Sequence, residues 1–133
     1  MAHLQQPRSI LVAEDESLLR MLTVDTLEEA GFDVIEVASG DAGACILMDG
    51  REIAGIVTDI EMPGLIDGCA LAQISHQQHP NAVILVVSGN RLPDMADLPQ
   101  GAEFIGKPCD VSVVLCTLKQ MLVVADSIMT PHN

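Results

Sequence analysis

The chain has 133 residues, the length of one globular domain, and 49% of them are hydrophobic, which excludes a disordered polypeptide. Its 19 acidic residues outnumber the 6 lysines and arginines and give a net charge of −13. This charge excludes nucleic-acid binding through the phosphates and argues against adhesion to an anionic membrane, whereas it suits divalent cations and basic protein surfaces.

Short runs of β-branched residues alternate along the chain with longer segments of helical periodicity. The first, third and fourth runs are apolar on both faces, which is typical of parallel strands covered by helices on each side. The second run alternates between polar and apolar residues and is predicted to lie at a sheet edge. The five predicted strands span residues 9–13, 33–38, 54–58, 82–88 and 103–106.

Helices are predicted over residues 16–30, 39–49 and 67–78, and a last helix begins after Asp110. Only five residues separate Pro93 from Pro99, so the helix expected between strands four and five is predicted to be short or irregular. Right-handed crossovers then give a three-layer α/β sandwich with one parallel sheet. The predicted domain spans residues 9–125, between an N-terminal extension (1–8) and a C-terminal tail (126–133).

The compartment is predicted from the apolar runs and the cysteines. The longest apolar runs, residues 82–87 and 121–125, are far shorter than a membrane span, and residues 1–9 lack the apolar core of a secretion signal. The four cysteines form no CxxC pair or metal-binding spacing, which indicates reduced thiols in a cytoplasmic protein. Those in helical patterns, at positions 45, 69 and 116, are expected to be small core residues.

Polar residues follow four of the predicted strands, where a parallel sheet binds its ligands. They are Glu14, Asp15 and Glu16 after the first strand, Asp59 after the third, Ser88 at the end of the fourth and Lys107 after the fifth. An acid in such a position is, taken singly, more often a helix cap. Several carboxylates brought together repel each other and stay ionised when a cation joins them, and their hard oxygens suit Mg²⁺.

The same residues lie in short recognisable motifs: VAEDE (Glu14, Asp15), TDIEMPG (Asp59), VVSGN (Ser88) and GKP (Lys107), with an aromatic residue, Phe104, three positions before the lysine. Together they resemble the receiver domain of two-component response regulators, and in particular the stand-alone receivers of the chemotaxis type. The resemblance extends from about residue 10 to residue 122. It implies a flavodoxin-like (βα)5 fold with strand order 2-1-3-4-5.

The resemblance also implies a function for the site. Asp59 would accept a phosphoryl group from a histidine kinase or a histidine phosphotransfer protein, and the domain would catalyse only its own phosphorylation and dephosphorylation. Ser88 and Lys107 would bind the phosphoryl group, and Phe104 would move as the Ser88 hydroxyl turns towards it. A downstream protein target and a monomer or weak homodimer are expected. The implied ligands of Mg²⁺ are Glu14, Asp15, Asp59 and the backbone carbonyl of Glu61.

The chain departs from the family pattern at several positions. Glu14 stands where many receivers have aspartate, which is expected to shift the outer metal shell, and MPGLIDG is one residue longer than the commoner spacing. Glu61 and Asn90 flank the pocket, and we expect them to set the lifetime of the phosphate by aiming the attacking water. Cys109 replaces a commonly bulky residue.

Alternative interpretations remain open from the sequence. The chain could be a receiver excised from a hybrid histidine kinase, although its start and its short tail favour a stand-alone protein. It could also be a pseudo-receiver that binds proteins without being phosphorylated, although such chains tend to lack the aspartate, the acidic pair or the lysine. A phosphohydrolase of the haloacid-dehalogenase type is disfavoured, because its nucleophile follows the first strand.

Overall fold

The computed structural model describes residues 8–89, 93–94 and 97–129, and its five strands form one parallel sheet in the order β2-β1-β3-β4-β5. This confirms the predicted sheet and strand order. The strands are β1 (Ser9–Ala13), β2 (Asp33–Val37), β3 (Gly55–Thr58), β4 (Val83–Ser88) and β5 (Glu103–Gly106). The helices are α1 (Ser17–Glu29), α2 (Gly40–Leu47), α3 (Gly68–Gln78) and α4 (Val111–Met129).

The helix ends follow local signals in the sequence. The Ser39 hydroxyl accepts a hydrogen bond from the Ala42 N–H at 3.1 Å and caps α2, and the Asp67 carboxylate accepts one from the Ala70 N–H at 2.9 Å and caps α3. Gly31, with φ of +97°, follows the end of α1 in the left-handed conformation that glycine adopts most easily. The two side-chain caps fix where α2 and α3 begin, and Gly31 marks where the chain leaves α1 and turns towards β2.

Each face of the sheet packs against two helices, which gives the predicted three layers. One face carries the side chains of Leu11, Ile56 and Val86 and packs against α2 and α3. The other carries residues of opposite parity, such as Ile10 and Leu85, and packs against α1 and α4. Because β1, β3 and β4 lie between the two helical layers, both faces of these strands are apolar.

The connection between β4 and β5 differs from the other crossovers. Among its described residues, 93–94 and 97–102, there is no α-helix, in agreement with the short or irregular element predicted from Pro93 and Pro99. The connection is nevertheless packed onto the domain, because Leu98 is buried and the Gln73 side chain donates a hydrogen bond to the Asp97 carbonyl at 2.8 Å.

The last helix, α4, continues to Met129, so the predicted domain boundary at residue 125 lies within it. An ion pair between Arg8 and Asp126 joins its end to the start of β1. By length and composition alone, its segment Val111–Ile128 is apolar enough to cross a membrane, which the short apolar runs of the sequence did not indicate, and 22% of it is buried. One such helix is weak evidence for a membrane span. The inner side of α4 packs on the sheet through Val114 and Leu118.

The cysteine prediction is only partly correct. Cys69 is buried in the core, as expected, whereas Cys45 and Cys116 are exposed. Both lie on the outer sides of their helices, one residue after the buried Ala44 and two residues before the buried Leu118. The helical pattern placed them in helices correctly but not on the face that packs on the sheet.

Candidate functional site

The predicted polar residues meet at the carboxyl edge of the sheet because the strands end in register. Ala13 pairs with Thr58, and the Asp59 N–H donates a hydrogen bond to the Ala13 carbonyl at 3.1 Å. This places Asp59 beside Glu14, the residue that follows Ala13. At the end of β4, Ser88 pairs with Gly106, so that Lys107 emerges next to them.

Three carboxylates form a cluster at this edge. One carboxylate oxygen from each of Glu14, Asp15 and Asp59 lies within 4.8 Å of the others. Glu14 is buried, Asp59 is half-buried and Asp15 is exposed. They line a cavity of about 910 Å³ to which Ser88 and Lys107 also contribute.

Lys107 bridges two of the three carboxylates. Its Nζ atom lies 2.8 Å from Glu14 Oε1 and 2.8 Å from Asp59 Oδ2. The other oxygen of Asp59, Oδ1, accepts a hydrogen bond from the Ile60 N–H at 2.7 Å. Both oxygens of Asp59 are therefore held in fixed directions, and its carboxylate is oriented before any ligand arrives.

Burial and charge act in opposite directions on these groups. Burial raises the pKa of Glu14 above its ordinary value, although hydrogen bonds from Lys107 and from the Glu16 N–H partly oppose this. Burial alone would lower the pKa of Lys107, but its hydrogen bonds to Asp59 and Glu14, together with the negative charges of both groups, raise it above its ordinary value. One protonated lysine among three carboxylates leaves a negative site with hard oxygen donors, a combination that fits Mg²⁺.

Arg20 holds the loop that carries the acidic pair. Its Nη1 donates a hydrogen bond to the Glu14 carbonyl at 2.7 Å, and its Nε lies 3.2 Å from Glu36 Oε1 on β2. Sequence reasoning did not single out Arg20. Two features of the sequence could have indicated Arg20. It is one of only six lysines and arginines in the chain, and it lies in the first turns of the helix that follows the acidic pair.

Ser88 and Phe104 lie on the same face of the sheet. Ser88 is 1% exposed, and Phe104, which pairs with Val86, is half-buried on the adjacent strand. A Cβ placed on Gly106 would lie 3.8 Å from Cε2 of the Phe104 ring. The ring therefore lies beside Gly106, the residue that pairs with Ser88.

The two remaining predicted residues have different outcomes. Glu61 is exposed and lines the same cavity as Asp59, from the loop between β3 and α3. Asn90 lies outside the described residues.

The edge of the sheet thus carries an acidic pair after β1, an aspartate after β3, a hydroxyl on β4 and a lysine after β5. The sequence was also compared with protein families. The sequence model described as "Response regulator receiver domain" matches residues 10–119. The chain belongs to this family. Receiver domains are signalling domains of two-component systems rather than enzymes of metabolism; they generally bind Mg²⁺ at an acidic pocket and act with histidine kinases.

Individual relatives are of two kinds. The receiver is 30% identical over 122 residues to the response regulator receiver protein CpdR of Brucella abortus (strain 2308), covering 89% of this chain and 99% of that protein. It is 34% identical over 118 residues to the sensor kinase CckA of the same organism, covering 86% of this chain but only 12% of the kinase. Among solved structures, a response regulator receiver protein from Sinorhizobium medicae WSM419 superposes with a TM-score of 0.86 at 29% identity, covering 90% of this chain and 98% of that one.

Proposed function

We propose that this receiver accepts a phosphoryl group on Asp59 in a Mg²⁺-dependent reaction, from the phosphohistidine of a histidine kinase or a histidine phosphotransfer protein. The observation that carries the proposal is the contact between Asp59 and Lys107, 2.8 Å apart, in an open cavity with Glu14 and Asp15. A carboxylate beside a cation and a metal-binding pair has the groups that phosphoryl transfer requires. The protein is proposed to act in the cytoplasm, as a monomer or weak homodimer.

In the proposed reaction a carboxylate oxygen of Asp59 forms a bond to phosphorus. The bond between phosphorus and the donor histidine nitrogen breaks, and that nitrogen keeps the electron pair. Because Lys107 Nζ already lies beside Asp59 Oδ2, it could bind a phosphoryl oxygen in place of this carboxylate oxygen. Its positive charge would then stabilise the group that is being transferred. Glu14, Asp15, Asp59 and the Glu61 carbonyl would hold Mg²⁺, which neutralises charge on the phosphoryl oxygens.

The signal is proposed to pass through Ser88 and Phe104. A phosphoryl group adds a charge of about −1.5 to −2 and strong hydrogen-bond acceptors next to the buried hydroxyl. The Ser88 hydroxyl would turn towards it, and the Phe104 ring would move into the space that the hydroxyl leaves. The position of the half-buried ring beside Gly106, next to Ser88, supports this coupling.

Glu61 and Asn90 are proposed to set the lifetime of the phosphate by aiming the water that attacks it. The exposed position of Glu61 at the cavity supports its part in this. Replacing both residues together should change the rate of phosphate loss without preventing phosphorylation. An unchanged rate of decay in the double variant would contradict the proposal.

The same chemistry would serve a stand-alone receiver and a receiver within a longer kinase. The match to nearly all of CpdR supports the first arrangement, and the match to a segment of CckA supports the second. The presence together of the aspartate, the acidic pair and the lysine argues against a pseudo-receiver that is never phosphorylated.

The direct test is intact-mass spectrometry after incubation with Mg²⁺ and acetyl phosphate, followed by incubation with a panel of phosphorylated histidine kinases. The wild type is expected to gain one phosphoryl group, which a chelator prevents and hydroxylamine removes. Asp59→Asn should gain none, whereas Asp25→Asn, an exposed residue of α1 with the same change in charge, should behave as the wild type. Failure of the folded wild type to gain the group from any of these donors would overturn the proposal.

A further inference from the structure

The loop from Ile60 to Asp67, which joins β3 to α3 and contains the extra residue of MPGLIDG, is closed at its base. The Gly68 N–H donates a hydrogen bond to the Ile60 carbonyl at 2.8 Å. The chain approaches so closely that a Cβ on Gly68 would lie 1.8 Å from the Asp59 carbonyl oxygen. The base of the loop is therefore fixed next to the phosphoacceptor.

The far end of this loop is bound to Asp41, in the first turn of α2. Asp41 Oδ1 accepts hydrogen bonds from the Leu65 N–H at 3.1 Å and the Ile66 N–H at 2.9 Å. Gly64, with φ of +99°, approaches the same carboxylate so closely that a Cβ would lie 2.8 Å from Asp41 Oδ1. The Leu65 side chain is 95% exposed, so apolar burial does not hold this residue in place.

The residues between these two attachments line the functional site. Glu61, Met62 and Pro63 all line the cavity that contains Asp59 and Lys107. A segment this short, held at both ends, has few conformations available to it. If the attachment at Asp41 is lost, the segment gains freedom, and the Glu61 carbonyl and side chain lose their fixed position at the cavity.

We propose that Asp41 is a positioning residue: through the backbone of Leu65 and Ile66 it holds the β3–α3 loop so that Glu61 faces the metal and phosphoryl site. The inference rests on the proposed function, because it concerns the Mg²⁺ and phosphate chemistry of that site. Asp41 touches none of the reacting groups and acts through the loop. The loop that contains the extra residue is thus restrained by the side chain of Asp41, which lies on α2.

The test compares Asp41→Ala with Asp41→Asn by titration calorimetry of Mg²⁺ and by the rate of phosphorylation with acetyl phosphate. The asparagine amide oxygen can accept both N–H groups, whereas alanine accepts neither. Asp41→Ala is expected to weaken Mg²⁺ binding about 10-fold, the effect typical of losing a group that orients a metal ligand, and to slow phosphorylation. Asp41→Asn should remain near the wild type, although it also loses the charge in the first turn of α2.

A second pair of variants avoids changing Asp41. Gly64→Ala introduces a Cβ against the Asp41 carboxylate, whereas Gly50→Ala introduces one at a similar φ of +89° with no neighbouring atom within 4 Å. Both substitutions strain the backbone, but only the first disturbs the attachment of the loop. Gly64→Ala is therefore expected to weaken Mg²⁺ binding and Gly50→Ala to leave it unchanged, even if Asp41→Ala fails to fold.

The outcomes separate this inference from the proposed function. A folded wild type that neither binds Mg²⁺ nor accepts phosphate overturns the proposed function and this inference with it. A wild type that does both, with equal Mg²⁺ affinity in Asp41→Ala or in Gly64→Ala, overturns the role of Asp41 alone. If Asp41→Asn and Asp41→Ala weakened Mg²⁺ binding equally, the effect would be due to the lost charge, and this result would also overturn the positioning role of Asp41.

Discussion

Replacing Asp15 with asparagine is expected to change the stability of this receiver in opposite directions without and with Mg²⁺. In the absence of the metal, Asp15 repels Glu14 and Asp59, while Lys107 bridges only those two. Removing its charge should therefore stabilise the folded state. In the presence of Mg²⁺ the variant lacks one of the proposed metal ligands and should gain little stability from the metal.

The separation of the carboxylate oxygens gives the magnitude. At 4.8 Å, the limit of the cluster, two unit charges repel by about 0.9 kcal/mol in water and about 3.5 kcal/mol at an effective dielectric of 20. Because Asp15 is exposed, the lower figure applies to each of its two pairs, and attraction to Lys107 offsets part of the sum. We expect Asp15→Asn to raise the free energy of unfolding by about 1 kcal/mol without metal. Mg²⁺ at about 100 times its dissociation constant should stabilise the wild type by about 2.7 kcal/mol.

Urea unfolding measured in a chelator and in Mg²⁺ tests both effects. The wild type and Asp15→Asn should exchange their order of stability between the two buffers. Asp25→Asn is the matched control, because it makes the same change in net charge at an exposed position of α1. The electrostatic reasoning would be refuted if Asp15→Asn were less stable than the wild type in chelator. It would also be refuted if Mg²⁺ stabilised the variant as much as it stabilises the wild type.

Three further predictions follow from the described contacts. The pKa of Lys107 is raised above its ordinary value of 10.5, so protonation of Lys107 stabilises the folded state. This contribution to the free energy of unfolding is fully present below pH 10.5 and is lost as the pH rises through the folded-state pKa. Alkaline urea unfolding should show the loss in the wild type but not in Lys107→Met. Alkylation at neutral pH, followed by peptide mass spectrometry, should label the exposed Cys45 and Cys116 before Cys109, whose thiol pKa is raised by burial. Gly68→Ala should lower the free energy of unfolding by about 1–3 kcal/mol, because its Cβ would lie 1.8 Å from the Asp59 carbonyl oxygen, and a wild-type urea midpoint would contradict that contact.

The sheet could be predicted from the sequence because its strands are buried on both faces. Runs such as residues 82–87 are apolar throughout, a pattern that is typical of parallel strands between two helical layers. The length of α4 was harder to predict, because its outer residues are themselves apolar. Val123 and Val124 are more than half exposed, so hydropathy alone gives neither the inward face nor the end of the helix.

The acidic cluster was also predictable, because the edge of a parallel sheet brings together residues that follow different strands. Arg20 and Asp41 were not, because each contacts backbone atoms of a loop outside its own helix, and such contacts leave no pattern of residue types in the sequence. Asp41 binds N–H groups 24 and 25 residues away, and those groups carry no trace of the contact in their side chains. Candidate reactive residues are therefore easier to identify from a sequence pattern than residues that hold a loop in place.

Glu14 shows how a departure from the family pattern fits the charge arrangement of the site. Its Oε1 reaches Lys107 while its Oε2 accepts a hydrogen bond from the Glu16 N–H at 3.1 Å, so both oxygens of the longer side chain have partners. Because the same Lys107 nitrogen also binds Asp59, the two carboxylates share one cation. In the proposed reaction, a phosphoryl group that draws Lys107 away from Asp59 would therefore also weaken the hydrogen bond between Lys107 and Glu14. Glu14 would thus connect Lys107 with the proposed metal site, a connection that Glu14→Gln should weaken.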